Sequence, residues 1–243
     1  MFDFKNNRFL LVIMAIMIVQ NLAGMSEGAI QSLILTLPGL LIAIAFHEFA
    51  HAWAADRLGD DTPRYQGRLT LNPIKHLDPI GTVLLLFAGF GWGKPVQVNP
   101  RKFKGDMGKG EVFVSFAGPA TNFILAFLIL VIGYTLNTIG VFAGLNAQTS
   151  FILWNIIIQA VVINIALGVF NLIPLPPLDG SKILMNFLPF NARQWFIKNE
   201  IYFYIAFLII FMFRLSSYII QPILMALLSG LDFVVSSIFS IFG

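Results

Sequence analysis

The chain contains no cysteine. That absence removes disulfides, thiolate metal sites and a cysteine nucleophile together, so any metal held here takes nitrogen and oxygen ligands. Charge is scarce as well. Only 11% of the 243 residues are charged and 58% are hydrophobic, against roughly 25% and 45–50% in an ordinary soluble domain. A soluble chain with a mean hydropathy of +0.83 would lack the polar surface to cover itself, so the class is integral membrane protein. The net charge is only +3, and no basic cluster is interleaved with aromatics, which argues against nucleic-acid binding. Histidine is rare too, with three in the whole chain, and two of them fall within one apolar run.

Apolar runs of about 20 residues are long enough to cross a bilayer as helices. They lie at Phe9–Leu22, Leu33–Ala55, Val112–Leu136, Phe151–Ile173 and Ile201–Ile220, with a marginal run at Ile80–Phe90. The tail from Pro222 to Phe242 is apolar apart from Asp232 and some serines, and fits either an interfacial or a spanning helix. The expected fold is an all-α polytopic membrane protein of about five to six transmembrane helices. Phe9–Leu22 follows Lys5 and Arg8 like a signal peptide, yet no small-x-small cleavage site follows it, which favours an anchor. Cytoplasmic loops collect Lys and Arg. With segments 23–32 and 137–150 outside, every one of the 15 basic residues except Arg214 falls inside. No repeat or Ser/Gly linker divides the chain, so residues 1–243 read as one membrane-embedded domain. Its core covers about 40–188, with an additional apolar segment at 9–22 and C-terminal helices over 201–242.

His47-Glu48-Phe49-Ala50-His51 interrupts the run Leu33–Ala55. Ionisable side chains at membrane depth are costly and mark function by default. Four residues apart on a helix, His47 and His51 project from one face, the spacing at which two imidazoles share a metal ion with a glutamate beside it. The helix runs from outside to inside, and His47 lies roughly 12 Å from its inner end at Ala55 at about 1.5 Å per residue. The site is therefore expected nearer the cytoplasmic side.

A catalytic zinc takes three protein ligands and leaves a fourth position to water. The third ligand is either His76 or a carboxylate, and Asp179 is preferred. It follows Asn171-Leu172-Ile173-Pro174-Leu175-Pro176-Pro177-Leu178, where three prolines in four residues cannot continue a helix. Broken backbone at membrane depth is tolerated only where protein or a wet cavity surrounds it. The preceding span also runs outside to inside, so its broken end arrives on the side of His51. Charge agrees: two neutral imidazoles, one aspartate, a divalent ion and ionised Glu48 sum to zero, whereas His76 in place of Asp179 leaves +1 in a low-dielectric region. Against this, Asp179 could simply cap the short helix that follows it. His76, beside Asp78 in a polar stretch, reads as a surface residue or one that supports a ligand.

A divalent ion lowers the pKa of bound water from about 15.7 towards 7. Glu48 is placed to take the proton from that water and hand it to a leaving amine. The expected activity is peptide hydrolysis. Gly89-Phe90-Gly91-Trp92-Gly93 leads into Lys94-Pro95-Val96-Gln97-Val98-Asn99, a short alternating strand signature, with Gly67–Asn72 as a possible partner. A small re-entrant β-hairpin there could hold an unwound membrane segment by strand addition; a plain glycine-rich loop fits the same spacing. Asn122 and Asn171 could donate to the carbonyl oxygen of a substrate as charge develops on it, or only pin helices together. Two other functions remain open: a membrane metal transporter or ion pathway, and a scaffold that binds helices without cleaving them. Intact Glu48 argues against the second, and the glycine-rich loop and proline break argue against a simple channel.

These motifs, in this order, resemble the site-2 protease family of intramembrane zinc metalloproteases in its small bacterial form. The resemblance is carried by His47–His51, Gly118-Pro119-Ala120-Thr121-Asn122, Asn171-x-x-Pro174-x-Pro176-x-x-Asp179-Gly180, Leu71–Thr82 and the Phe-Gly-Trp-Gly-Lys-Pro run, over about Leu40 to Leu188. It implies one zinc on His47, His51 and Asp179, Glu48 as base, Asn171 on the substrate strand and Asn122 near the site. The implied substrates are membrane-spanning segments of regulatory or signal-derived proteins, so the expected partners are a membrane-protein substrate and the lipid bilayer. Many members carry a PDZ or CBS domain, and this chain leaves room for neither.

Overall fold

The computed structural model describes residue 19 and residues 27–79, 81–83, 93–212 and 215–240. Almost all of the regular structure is helical. Helix α1 spans Glu27–Arg57, α2 Thr62–Tyr65, α3 Met107–Thr138, α4 Ala147–Asn171, α5 Asp179–Phe187, α6 Phe190–Lys198, α7 Glu200–Met212 and α8 Leu215–Ser240. The long helices start where the chain supplies side-chain acceptors for orphan amides. Asp106 accepts from the Lys109 N–H at the start of α3, and Asn146 from the Thr149 N–H at the start of α4.

Among the described residues, four helices are long and apolar enough to cross a membrane, over Gln31–Arg57, Met107–Thr138, Ala147–Asn171 and Ile220–Ser240. The protein is thus a multi-pass membrane protein. The run Ile201–Ile220 is described over α7 and the start of α8, and residues 213–214 within it lie outside the described residues. The C-terminal tail belongs to one helix of spanning length, α8. The segment Phe9–Leu22 and the glycine-rich residues 89–92 lie outside the described residues, apart from residue 19.

Helices α1, α3 and α4 pack on one another as the central bundle, and α8 lies against α3 and α4. Small residues let the backbones approach, as they do wherever lipid-embedded helices associate by close packing: Ala43, Ala50, Ala126 and Ala160 are all buried at these contacts. Below them Leu130, Val161, Ile165, Val169 and Val235 form an apolar cluster that joins α8 to the bundle. At the edge of that cluster the Tyr134 hydroxyl donates to Asp232 over 2.8 Å, which gives the lone acid of α8 a partner.

No strand forms among the described residues, so the hairpin expected between 67–72 and 93–99 is not present there as a ladder. The bridge observed is between Leu77 and Gly93, antiparallel. A physical reason is visible in the side chains. Pro95 has no N–H to offer a ladder, and the buried Arg68 guanidinium donates to the carbonyls of Lys75, Lys94 and Pro95. One side chain therefore ties the two segments together where a ladder would have done so.

Candidate metal centre

The site begins with α1, whose 3.6-residue turn stacks His47 and His51 on one face. Their rings lie 4.6 Å apart, nearly perpendicular at 84°. Both are buried, as is Asp179. The prolines end α4 at Asn171 and the chain turns back, so that α5 begins at Asp179. Gly180 permits the turn. A Cβ at that position would lie 2.3 Å from the Leu172 carbonyl oxygen and 2.5 Å from that of Ile173, so any other residue would push Asp179 away from the bundle.

The result is a triangle of donors. His47 Nε2 lies 3.2 Å from Asp179 Oδ2, His51 Nε2 3.0 Å from the same oxygen, and the two Nε2 atoms are 3.0 Å apart. Zinc–nitrogen and zinc–oxygen bonds of about 2.0–2.2 Å in a tetrahedral site put neighbouring donors roughly 3.3–3.5 Å apart. The observed edges of 3.0–3.2 Å fall a few tenths of an ångström below that spacing, so a small outward shift of the donors would admit such an ion. Tautomers fit as well: His51 Nδ1 faces the Val114 carbonyl oxygen at 2.7 Å, and a carbonyl only accepts, so the proton is on Nδ1 and Nε2 presents its lone pair. Three buried donor atoms at these distances could hold a metal ion between them.

The surroundings orient the donors. Asn122 Oδ1 faces His47 Nδ1 at 2.6 Å, while its Nδ2 donates to the Ala43 carbonyl at 3.2 Å and to Asn164 Oδ1 at 3.0 Å. The Lys182 ammonium donates to Asp179 Oδ1 at 3.2 Å, leaving Oδ2 as the oxygen that faces the imidazoles. Gly118 of α3 forms the wall of the site. A Cβ there would lie 2.4 Å from His51 Nε2 and 2.7 Å from His47 Cε1, so the helix backbone can lie against the imidazoles only without a side chain.

Glu48 leaves α1 on a neighbouring face, where its Oε2 accepts from the Val96 N–H at 2.9 Å. A Cβ on Gly93 would lie 3.8 Å from the other oxygen, Oε1. Arg68 is the nearby cation. Burial pulls its guanidinium down from the usual arginine range, and the Glu48 charge opposes that shift. Asn171 sits at the last turn of α4, half-buried, and donates to the Leu167 carbonyl of its own helix at 3.0 Å. His76 is not part of the donor triangle. It is wholly buried rather than superficial, its Nε2 on the Thr70 carbonyl oxygen at 2.7 Å, because the chain from Arg68 onwards folds over it.

Several residues at the site had no role assigned from the sequence: Gly118, named there only within its motif, and Arg68, Lys182 and Asn164. A signal existed for Asn164. It is an amide in an apolar run, seven residues before Asn171 and so on nearly the same helix face.

A bundle of helices long enough to span a membrane, with two histidines and an aspartate buried around one point, forms a candidate metal centre in a membrane protein. Residues 35–213 match peptidase family M50, and the chain belongs to that family. It is 44% identical over 192 residues to the Bacillus subtilis (strain 168) protein named "Putative zinc metalloprotease YwhC", covering 77% of this chain and 84% of that one. It is 32% identical over 185 residues to "Putative zinc metalloprotease Rip2" of Mycolicibacterium smegmatis, covering 72% and 68%. No solved structure matches the chain significantly. The protein is a zinc metalloprotease of the site-2 protease family.

Proposed function

We propose that this protein is an intramembrane endopeptidase that hydrolyses peptide bonds in or near transmembrane segments of other membrane proteins. His47, His51 and Asp179 hold the zinc and Glu48 is the general base. The observation that carries the reading is the meeting of three buried donors from α1 and α5 within 3.0–3.2 Å of one another, on a helix of membrane-spanning length. Bound there, zinc supplies a Lewis acid that polarises the scissile carbonyl and acidifies water.

The remaining work falls to the chain. The Val96 N–H holds Glu48 Oε2, which fixes the carboxylate while Oε1 takes the proton from water and later returns it to the leaving amine. Lys182 keeps Asp179 Oδ1 occupied, so the aspartate would offer the ion its other oxygen, Oδ2. The extended residues 94–98, beside Glu48, suit an unwound substrate segment added as a strand. A helical substrate must unwind first, because its carbonyls are already bonded. The Asn122 amide is committed to His47, Ala43 and Asn164, so its role is to orient His47 rather than to bind substrate. Asn171 keeps the substrate-facing role, since its amide has one further N–H beyond the bond to Leu167. The distribution of basic residues puts this site on the cytoplasmic side of the cell membrane, and residues 1–243 act as one membrane-embedded domain.

The test is coexpression of single-span membrane proteins with wild type and with Glu48→Gln. The variant is expected to keep its zinc and lose cleavage. Equal cleavage by both proteins would end the assignment of Glu48.

A further inference from the structure

Both imidazoles of the metal centre need their remaining ring nitrogen held by an acceptor, and the chain does this in two ways. His51 Nδ1 meets a backbone carbonyl, that of Val114, directly. His47 Nδ1 meets a side-chain amide, Asn122, at 2.6 Å. An amide can present either its oxygen or its nitrogen, so something further must decide which end faces the ring.

We infer that Asn164 is a positioning residue for the metal centre: together with the Ala43 carbonyl it fixes which end of the Asn122 amide faces His47, and so the tautomer in which His47 meets the zinc. The argument starts from a group that cannot donate. The Ala160 carbonyl lies 2.8 Å from the Asn164 amide, so Asn164 must turn its Nδ2 to it. Asn164 Oδ1 is then left to face Asn122 at 3.0 Å, and Asn122 must present Nδ2 there. That nitrogen also donates to the Ala43 carbonyl at 3.2 Å. Asn122 Oδ1 is the end that remains for His47, so the ring carries its proton on Nδ1 and offers an unprotonated Nε2 beside Asp179. If the relay were reversed, oxygen would face oxygen at Ala160 and at Ala43, and His47 Nε2 would carry the proton and lose its capacity to bind metal. Asn122 and Asn164 are both fully buried, so no water can stand in for a lost partner. The relay crosses the three central helices, from α4 through α3 to α1.

An asparagine that merely pins helices in lipid would lower stability when replaced and leave zinc affinity alone. An asparagine that orients a metal ligand lowers metal affinity, by about 10–100-fold where such partners are removed. The experiment uses the full chain in nanodiscs, stripped of metal, with zinc affinity measured by competition against a chromophoric chelator. Asn164→Leu removes the acceptor, and Asn164→Ser satisfies Ala160 but is too short to reach Asn122. Asn164→Asp, protonated in this apolar setting, reproduces both bonds. The Leu and Ser variants are expected to bind zinc about 10-fold more weakly, and the Asp variant within about threefold of wild type. In zinc-free protein, nitrogen-15 spectra should show His47 as the Nδ1–H tautomer in wild type, with the other tautomer gaining in the Ser variant.

Wild-type zinc affinity in Asn164→Ser, or equal weakening in all three variants, would overturn the inference. Should Asn164→Leu fail to fold, the Ser and Asp pair decides alone. The inference rests on the ligand set proposed above, and His47→Ala separates the two. Zinc binding lost in His47→Ala but intact in Asn164→Ser defeats the relay only, whereas zinc binding intact in both defeats the ligand set.

Discussion

The metal donors and the segment over Glu48 are neighbours on α1, yet they are held in different ways. Around His47 and His51 the positioning contacts end on helix backbone, at the carbonyls of Val114, Ala43 and Ala160 and the bare Cα of Gly118, and Asp179 alone is also held by a side chain, that of Lys182. Over Glu48 lies extended chain, held by one guanidinium that donates to three carbonyls and by the Asp60 carboxylate, which accepts from the Asn99 N–H at 2.6 Å. The first region is rigid because three helices would have to move together to change it. The second can open if a few side-chain bonds are exchanged, as a site that must admit a substrate backbone requires.

The sharpest way to break this contrast is Gly118→Ala. With a Cβ placed 2.4 Å from His51 Nε2, zinc affinity should fall by at least about 100-fold, as it would for loss of ligand orientation at its upper range. Metal analysis of the purified protein checks this, and full zinc occupancy would show that the wall can yield. Gly180→Ala should act through the other arm by displacing Asp179, with bound zinc and activity lost together.

The loop side should respond differently. Arg68→Ala is expected to retain zinc while activity falls, by up to about 100-fold, the low end of what general-base catalysis contributes. Lost zinc in that variant would mean that the loop and the donor triangle form one unit. Removing zinc from wild type with a chelator should lower the unfolding temperature. The metal stabilises by about 2.7 kcal/mol when free zinc is 100 times its dissociation constant, and the difference should vanish in His51→Ala. The smallest effect is expected for Lys182→Met. Its ion pair to Asp179 is more than half exposed on the lysine side, and such pairs contribute about 0.2–1 kcal/mol. Zinc affinity within about fivefold of wild type, read by chelator competition, is the expected outcome.

Much of this was legible beforehand, for reasons that can be named. The apolar runs predicted the helices because burial in lipid forces the backbone to bond within one segment. His47 and His51 share a face because a helix repeats every 3.6 residues, a local rule. Asp179 could be proposed from charge balance and the proline break. The hairpin could not be read correctly: alternation at 94–99 matched a strand, but whether a ladder forms depends on what takes the Lys94 and Pro95 carbonyls, and that is Arg68, 26 and 27 residues earlier.

Composition and periodicity alone determined that the chain lives in a membrane, that its metal chemistry uses nitrogen and oxygen, and that two histidines and a glutamate lie one turn apart on a single helix. These follow from solvation and local geometry, which act within a few residues. Only the tertiary structure decided that Asp179, 128 residues beyond His51, closes the donor triangle. It alone also decided that Gly118 walls the site and that Asn164 reaches His47 through Asn122. Such contacts depend on how helices distant in sequence cross and on which end of an amide meets a carbonyl, and no local pattern carries either.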